Sequence, residues 1–148
     1  MPDDRKPVTE ALGCLLADSY TLYLKTHNYH WNVTGPMFNT LHTLFEQQYT
    51  ELALAVDEIA ERIRALGAPA PGSYAAFRRL TSIEEEEGSP AAMEMIETLA
   101  ADQGKVVESA QRALEAAQKS GDEASTDLAV TRISVHEKAA WMLRSHLE

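Results

Sequence analysis

Apolar residues recur at three- and four-residue steps in four long segments of this chain, and no stretch sustains the two-residue alternation of a half-buried strand. The first segment runs from about residue 8 to 33, with Leu12, Leu16, Tyr20 and Tyr23 on one face. The second is the most regular: Phe38, Leu41, Phe45, Tyr49, Leu52, Val56, Ile59 and Ile63 follow without a break until Gly67, Pro69 and Pro71 end it. Residues 73–80 predict a short helix with Tyr74 and Phe77 one turn apart. The third long helix is expected to open at Ser89-Pro90, a capping residue followed by proline in the first turn. It continues through Met93, Ile96, Leu99, Val106, Ala110 and Leu114 and stops at Ser120-Gly121. The fourth, from about residue 123 to 147, carries Leu128, Ile133, Val135, Ala139, Trp141, Met142 and Leu143 on more than one face. Such a helix has more apolar surface than its own bundle covers, which predicts an oligomer. Four helices of roughly 25 residues, each about 38 Å long, make a four-helix bundle with its short helix in the crossover.

The chain has 148 residues, enough for one domain with a real core, preceded by a short tail at residues 1–7. Its formal charge of −10 and pI near 4.9 favour cations over nucleic acid or anionic membrane as partners. The single cysteine, Cys14, cannot form an internal disulfide and reads as a small buried hydrophobe. With no signal-like run behind Asp3, Asp4, Arg5 and Lys6 and no membrane-length apolar stretch, the expected location is cytoplasmic.

Charge directs attention to three pairs in the first half: His30-Trp31, His42 with Glu46, and Asp57 with Glu61. His30 and His42 each lie six residues from Pro36, so a hairpin there sets them at the same height. His42/Glu46 and Asp57/Glu61 are i,i+4 pairs, each projecting from one helical face. Eleven residues at ~100° each return to within roughly 20° of the start, so both pairs lie on nearly one stripe. Along the axis, however, Glu46 and Asp57 are about 16 Å apart. One subunit therefore cannot close a site from all five ligands. An antiparallel two-fold mate can, by setting Asp57 and Glu61 of one chain opposite His42 and Glu46 of the other, with two sites per dimer. Imidazole and carboxylate together suit ferrous iron, and the carboxylates favour the ferric product.

The run His27-Asn28-Tyr29-His30-Trp31-Asn32-Val33, with Gly35-Pro36, Phe38, Leu41-His42, Phe45-Glu46, Tyr49 and Asp57 to Arg62, resembles the Dps family, the ferritin-like mini-ferritins. The resemblance continues through Leu66-Gly67, Pro71 to Tyr74, Phe77 and the late run from His136 to Leu143. The Glu-x-x-His signature of ordinary in-bundle di-iron sites does not occur, which leaves the site between subunits. The resemblance implies an all-α, ferritin-like bundle assembling as a hollow dodecamer, a ferroxidase that oxidises Fe(II), preferably with hydrogen peroxide rather than O2, and stores ferric oxyhydroxide inside. It implies His30, His42, Glu46, Asp57 and Glu61 as ligands from two subunits to one or two irons, with zinc as an alternative resting metal. Many members have Asp where Glu46 stands, so Glu46 is open to acting directly or through water. Trp31 reads as interface packing and, by resemblance, as a trap for stray oxidising equivalents. His27 reads as a core or hydrogen-bonding neighbour of the ligands.

Asp122, Glu123 and Asp127 begin the fourth helix, where acids cap helices and offset the dipole; by resemblance Asp127, then Asp122, are candidates to line a pore. Glu51 is a candidate for mineral nucleation. Glu84 to Glu87 read as a solvated loop, and Trp141 as a core or interface anchor. The rival function is DNA condensation with nucleoid association. Family members that do this use a basic tail, whereas here Arg5 and Lys6 are offset by Asp3 and Asp4 and no basic extension follows Arg144, so direct DNA binding is not expected.

Overall fold

A computed structural model describes residues 3–148. Among them are five α-helices and no strand: α1 (Lys6–Asn32), α2 (Phe38–Ala65), α3 (Tyr74–Leu80), α4 (Ala92–Ser120) and α5 (Glu123–Arg144). The hairpins α1–α2 and α4–α5 pack into one bundle, with α1 against α4, and short α3 lies in the crossover against α1. No helix is long and apolar enough to cross a membrane among the described residues.

Leu12, Leu15, Leu16 and Leu22 of α1 meet Leu41, Phe45, Leu52, Ile59 and Ile63 of α2, and Ile96, Leu99, Val106 and Ala110 of α4 complete the core. The helical repeat read from the sequence thus marks the buried stripes, except at Phe38, exposed at the start of α2, and in α4, where Met95 is buried and Met93 exposed. Gly121 ends α4 at φ 72°, a left-handed conformation in which its N–H can cap the helix. Ser73 caps α3 by accepting a hydrogen bond from the Ala76 N–H.

Both ends of the sequence reading shift. Residues 3–7 are not a tail: Asp3–Arg5 form a 3-10 turn that runs into α1, where Pro7 stands in the first turn. Residues 1 and 2 lie outside the described part. α4 begins at Ala92, with Ala91 as a cap lacking any side-chain bond, rather than at Ser89-Pro90. The residue before a proline is disfavoured in helix, and the preceding loop is tethered elsewhere.

That tether comes from α1. Lys25 donates to the Glu84 carbonyl at 2.7 Å and pairs with buried Asp102 of α4 at 2.8 Å. Burial pushes the Asp102 carboxyl up, against the pull of Lys25. The Tyr29 hydroxyl donates to Glu86 at 2.7 Å, and the Gly88 N–H closes on the same carboxylate. Those two bonds hold Glu86 below the usual carboxylate range, while burial and Glu86 raise the Tyr29 phenol. The acidic run is therefore partly structural, not simply a solvated loop. Asp18 binds a further part of the crossover through Thr81 and the Ser82 N–H, both at 2.7 Å, and reaches α4 through Ser109.

Candidate metal centre

The turn between α1 and α2 passes through Gly35 at φ 105°, which only glycine adopts without strain, and the Phe38 N–H bonds back to its carbonyl. This turn sets His30 and His42 face to face, ring centroids 3.7 Å apart and 16° from parallel. Each ring also bonds to the other's backbone. His30 Nδ1 meets the His42 carbonyl at 2.7 Å, and His42 Nδ1 meets the His30 carbonyl at 2.7 Å. A carbonyl only accepts, so each Nδ1 carries a proton and donates it. In the neutral rings each Nε2 then keeps a lone pair, the tautomer a metal ligand needs.

Aromatic side chains brace the pair. Phe38 stacks on His42 at 5.0 Å and Tyr49 meets His30 edge-on at 5.1 Å. His27 lies between Trp31 at 3.9 Å and Tyr49 at 4.2 Å. Half-buried and without a hydrogen bond among the described residues, it is a stacked spacer rather than a core group or a hydrogen-bonding partner of His30 or His42. Burial, then neighbouring His30, lowers its pKa. Trp31 itself is 58% exposed on this chain.

Glu46, Asp57 and Glu61 all stand exposed on α2. The Asp57 side chain, through a hydrogen bond and like charge, pushes the Glu61 carboxyl above its ordinary value. Two like-charged carboxylates side by side favour a cation between them, which relieves their repulsion. Among the described residues no group of three or more His, Cys, Asp or Glu is arranged to hold a metal within the chain. The structure brings His30 to His42 and Asp57 to Glu61, but not the two pairs to each other. The donor set, two imidazoles and three carboxylates, is of the type that ferrous iron accepts.

The remaining acids separate by what already holds them. Asp122 caps α5 by accepting from the Ser125 N–H at 3.0 Å, and it receives Arg62 at 2.8 Å. Burial works against its ionisation, but Ser125 and Arg62 outweigh this and hold the carboxyl below the usual range. Asp127 is exposed. Glu51 pairs with Arg132 through both guanidinium nitrogens, and Arg132 continues to His136 at 2.9 Å, which meets Gln103 at 2.6 Å. Burial, then Arg132, lowers His136 to about 3, so it is neutral in the core. Trp141 is 59% exposed, which removes the core half of its sequence reading. Cys14 is half-buried, and burial followed by Asp18 raises its thiol.

Asp122→Ala should lower stability by about 1–2 kcal/mol through loss of the cap. Because its folded pKa is depressed, the Asp122 contribution is complete above the ordinary value of ~3.9 and is lost as pH falls from there through the lower folded value. Melting curves of parent and variant should therefore differ at neutral pH and converge in strong acid. A constant difference across that range would place the effect outside the carboxylate.

The buried chain Gln103–His136–Arg132, which ends on half-exposed Glu51, was not read from the sequence. Nothing in the helical repeat separates a polar residue on a buried stripe from one on a solvated face.

The ferritin-like domain family matches residues 9–148. The chain is 40% identical over 142 residues to DNA protection during starvation protein 2 of Bacillus anthracis, covering 96% of this chain and 97% of that one. It is 38% identical over 141 residues to the DNA protection during starvation protein of Brevibacillus brevis, covering 95% of each. The crystal structure of a Dps protein from Bacillus brevis superposes with a TM-score of 0.96 at 35% identity, covering 100% of this chain and 99% of that one. The Dps protein of Vibrio cholerae O1, described as a member of a broad superfamily of ferritin-like diiron-carboxylate proteins, gives 0.94 at 33% identity, with coverage of 98% and 91%.

Proposed function

This chain belongs to the Dps family of ferritin-like proteins, and from that premise we propose that it is an iron-detoxifying ferroxidase whose sites are shared between two subunits of a hollow dodecamer. The observation that carries the proposal is the reciprocal histidine pair: two imidazoles fixed through Nδ1, each with Nε2 left to bind. On the same hairpin, Asp57 and Glu61 form the carboxylate half, and in our reading they face His30, His42 and Glu46 of a two-fold mate. Tyr49 lies edge-on to His30 beside the site, and Trp31, exposed on one chain, packs at the interface with the mate in this reading.

Iron is the substrate. Fe(II) enters between the like-charged Asp57 and Glu61 carboxylates, whose mutual repulsion it relieves, and is met from the other side by the histidines. Gathering carboxylate oxygens around the ion favours its ferric product. With hydrogen peroxide as oxidant, two Fe(II), one peroxide and two waters give two ferric oxyhydroxide units and four protons. Peroxide and Fe(II) are then removed together, which keeps them from generating hydroxyl radical. Glu46, a carboxylate one turn from His42, completes the ligand set. Zinc fits the same donors at rest. Anomalous scattering from iron-soaked crystals tests the assignment; iron bound only away from the His30–His42 pair would overturn it.

Among the described residues Asp127, unlike Asp122, has no partner consuming its carboxylate in the cap, and we assign it to the path by which iron reaches the cavity. Asp127→Asn should slow iron uptake, most at low ionic strength, because a ring of carboxylates concentrates cations and salt screens it. Equal uptake curves at low salt would return Asp127 to a dipole role. Direct DNA binding is not part of the proposal: the net charge is −10, and Arg62 and Arg132 are held in ion pairs. A gel shift at low salt that retards DNA would show otherwise. Cytoplasmic location follows from the same reading.

A further inference from the structure

The rings around the histidine pair do not stop at the site. Tyr49, edge-on to His30 at 5.1 Å, lies 5.9 Å from Tyr23 between centroids. Tyr23 is 6.0 Å from Tyr20, and Tyr20 is 6.5 Å from Tyr74. All three steps are edge-to-face, at 67° to 70°. Tyr49, Tyr23 and Tyr20 are half-buried, whereas Tyr74, the first residue of α3, is 73% exposed. Tyr20 and Tyr74 also line a cavity of about 510 Å³ that opens beside the crossover. Core packing needs apolar rings, which phenylalanine supplies at lower desolvation cost, yet all three half-buried positions, Tyr49, Tyr23 and Tyr20, carry a phenol. Tyrosine differs from phenylalanine in being readily oxidised by one electron, and electron transfer between aromatic rings in contact is fast.

We propose that Tyr49, Tyr23, Tyr20 and Tyr74 form a one-electron relay that carries oxidising equivalents arising at the His30–His42 half-site to the protein surface. The relay rests on the site proposed above. When peroxide meets a single Fe(II), the products are Fe(III), hydroxide and a hydroxyl radical. The radical takes a hydrogen atom from the Tyr49 phenol, giving water and a tyrosyl radical. At each step the next phenol loses an electron and a proton, and the preceding tyrosyl regains both, so Tyr49, Tyr23 and Tyr20 are restored in turn. The Tyr74 radical, at the surface, accepts an electron and a proton from a soluble enediol donor, for which ascorbate is the probe, leaving the ascorbyl radical. Damage is thereby moved from the ligands to a position where it can be reduced.

The test has two arms, both read by a nitroso spin trap and mass spectrometry of the labelled tyrosines. In the iron-free arm, a ruthenium photo-oxidant is tethered at Asn39→Cys, one turn before His42, in a Cys14→Ser background. A flash should label Tyr74, and Tyr23→Phe or Tyr20→Phe should abolish most of that label and leave it upstream of the break. Equal Tyr74 labelling in parent and both variants would overturn the relay. In the iron arm, Fe(II) and peroxide are added to parent and Tyr23→Phe. The two should oxidise Fe(II) at the same rate while Tyr74 labelling falls in the variant and ascorbate suppresses it in the parent. If the flash labels Tyr74 through Tyr23 but iron and peroxide do not, the relay stands and the placement of the iron site fails. Tyr23→Phe and Tyr20→Phe keep ring shape, and neither hydroxyl makes a hydrogen bond to the protein among the described residues, so misfolding does not cloud the comparison.

Discussion

Replacing His30 and His42 together by alanine should leave an assembled particle that no longer oxidises Fe(II) rapidly. Changing a residue that only supports a metal ligand typically costs ~10–100-fold in affinity or activity, and removing two ligands should cost at least that. The fold has less at stake. Two hydrogen bonds from the rings to carbonyls are lost, at about 1 kcal/mol each, and His42 is only half-buried. Both carbonyls sit beside a turn that water can reach once the rings are gone. Initial rates of Fe(II) oxidation with peroxide, alongside circular dichroism and light scattering, separate the two effects. An unchanged initial rate in a folded particle would remove the histidine pair from the site.

The second large effect is a recovery. A variant lacking both histidines (His30→Ala, His42→Ala) and a variant lacking both acids (Asp57→Ala, Glu61→Ala) should each be inactive. If the site joins two chains, a mixed dimer has one site missing all four ligands and one site retaining all four. Particles refolded or co-expressed from both variants should then regain activity, up to one working site per mixed dimer. A site closed within one chain gives no recovery, because every subunit still lacks part of its set. Mixing must be verified by mass spectrometry, since preformed cages can resist exchange. Verified mixed dimers as inactive as their parents would refute the shared site.

The hairpin geometry was legible because it depends on counting. Equal spacing of His30 and His42 from Pro36 puts them side by side whatever the side-chain details, and the structure has them in contact. Each ring's bond to the opposite carbonyl was not legible, because backbone acceptors have no residue letter. The helical repeat likewise located α1, α2, α3 and α5 to within a few residues. It misplaced the start of α4 because Ser89-Pro90 has the composition of a cap, while the actual constraint comes from Tyr29 and Lys25, far away in sequence. The same long-range bonds turned Glu86 from a solvated acid into an anchor. Glu51 is similar: as a letter it is one more acid on α2, and only Arg132 on α5 reveals that its carboxylate is already engaged, which weakens it as a nucleation site.

The division of labour between the two hairpins has a consequence for redesign. Every proposed ligand lies on α1 or α2, whereas α4 and α5 are joined to each other by packed alanines and to the chemistry by none of the ligands. A substitution at an exposed position of α5, such as Val130, is therefore not transmitted to the proposed ligands through the hairpin that carries them, and acts first on whatever the assembly packs against that face. The limit on such editing is Arg132, 4% exposed and bonded to both helical pairs through Glu51 and His136, which acts as the keystone that a designer must leave in place.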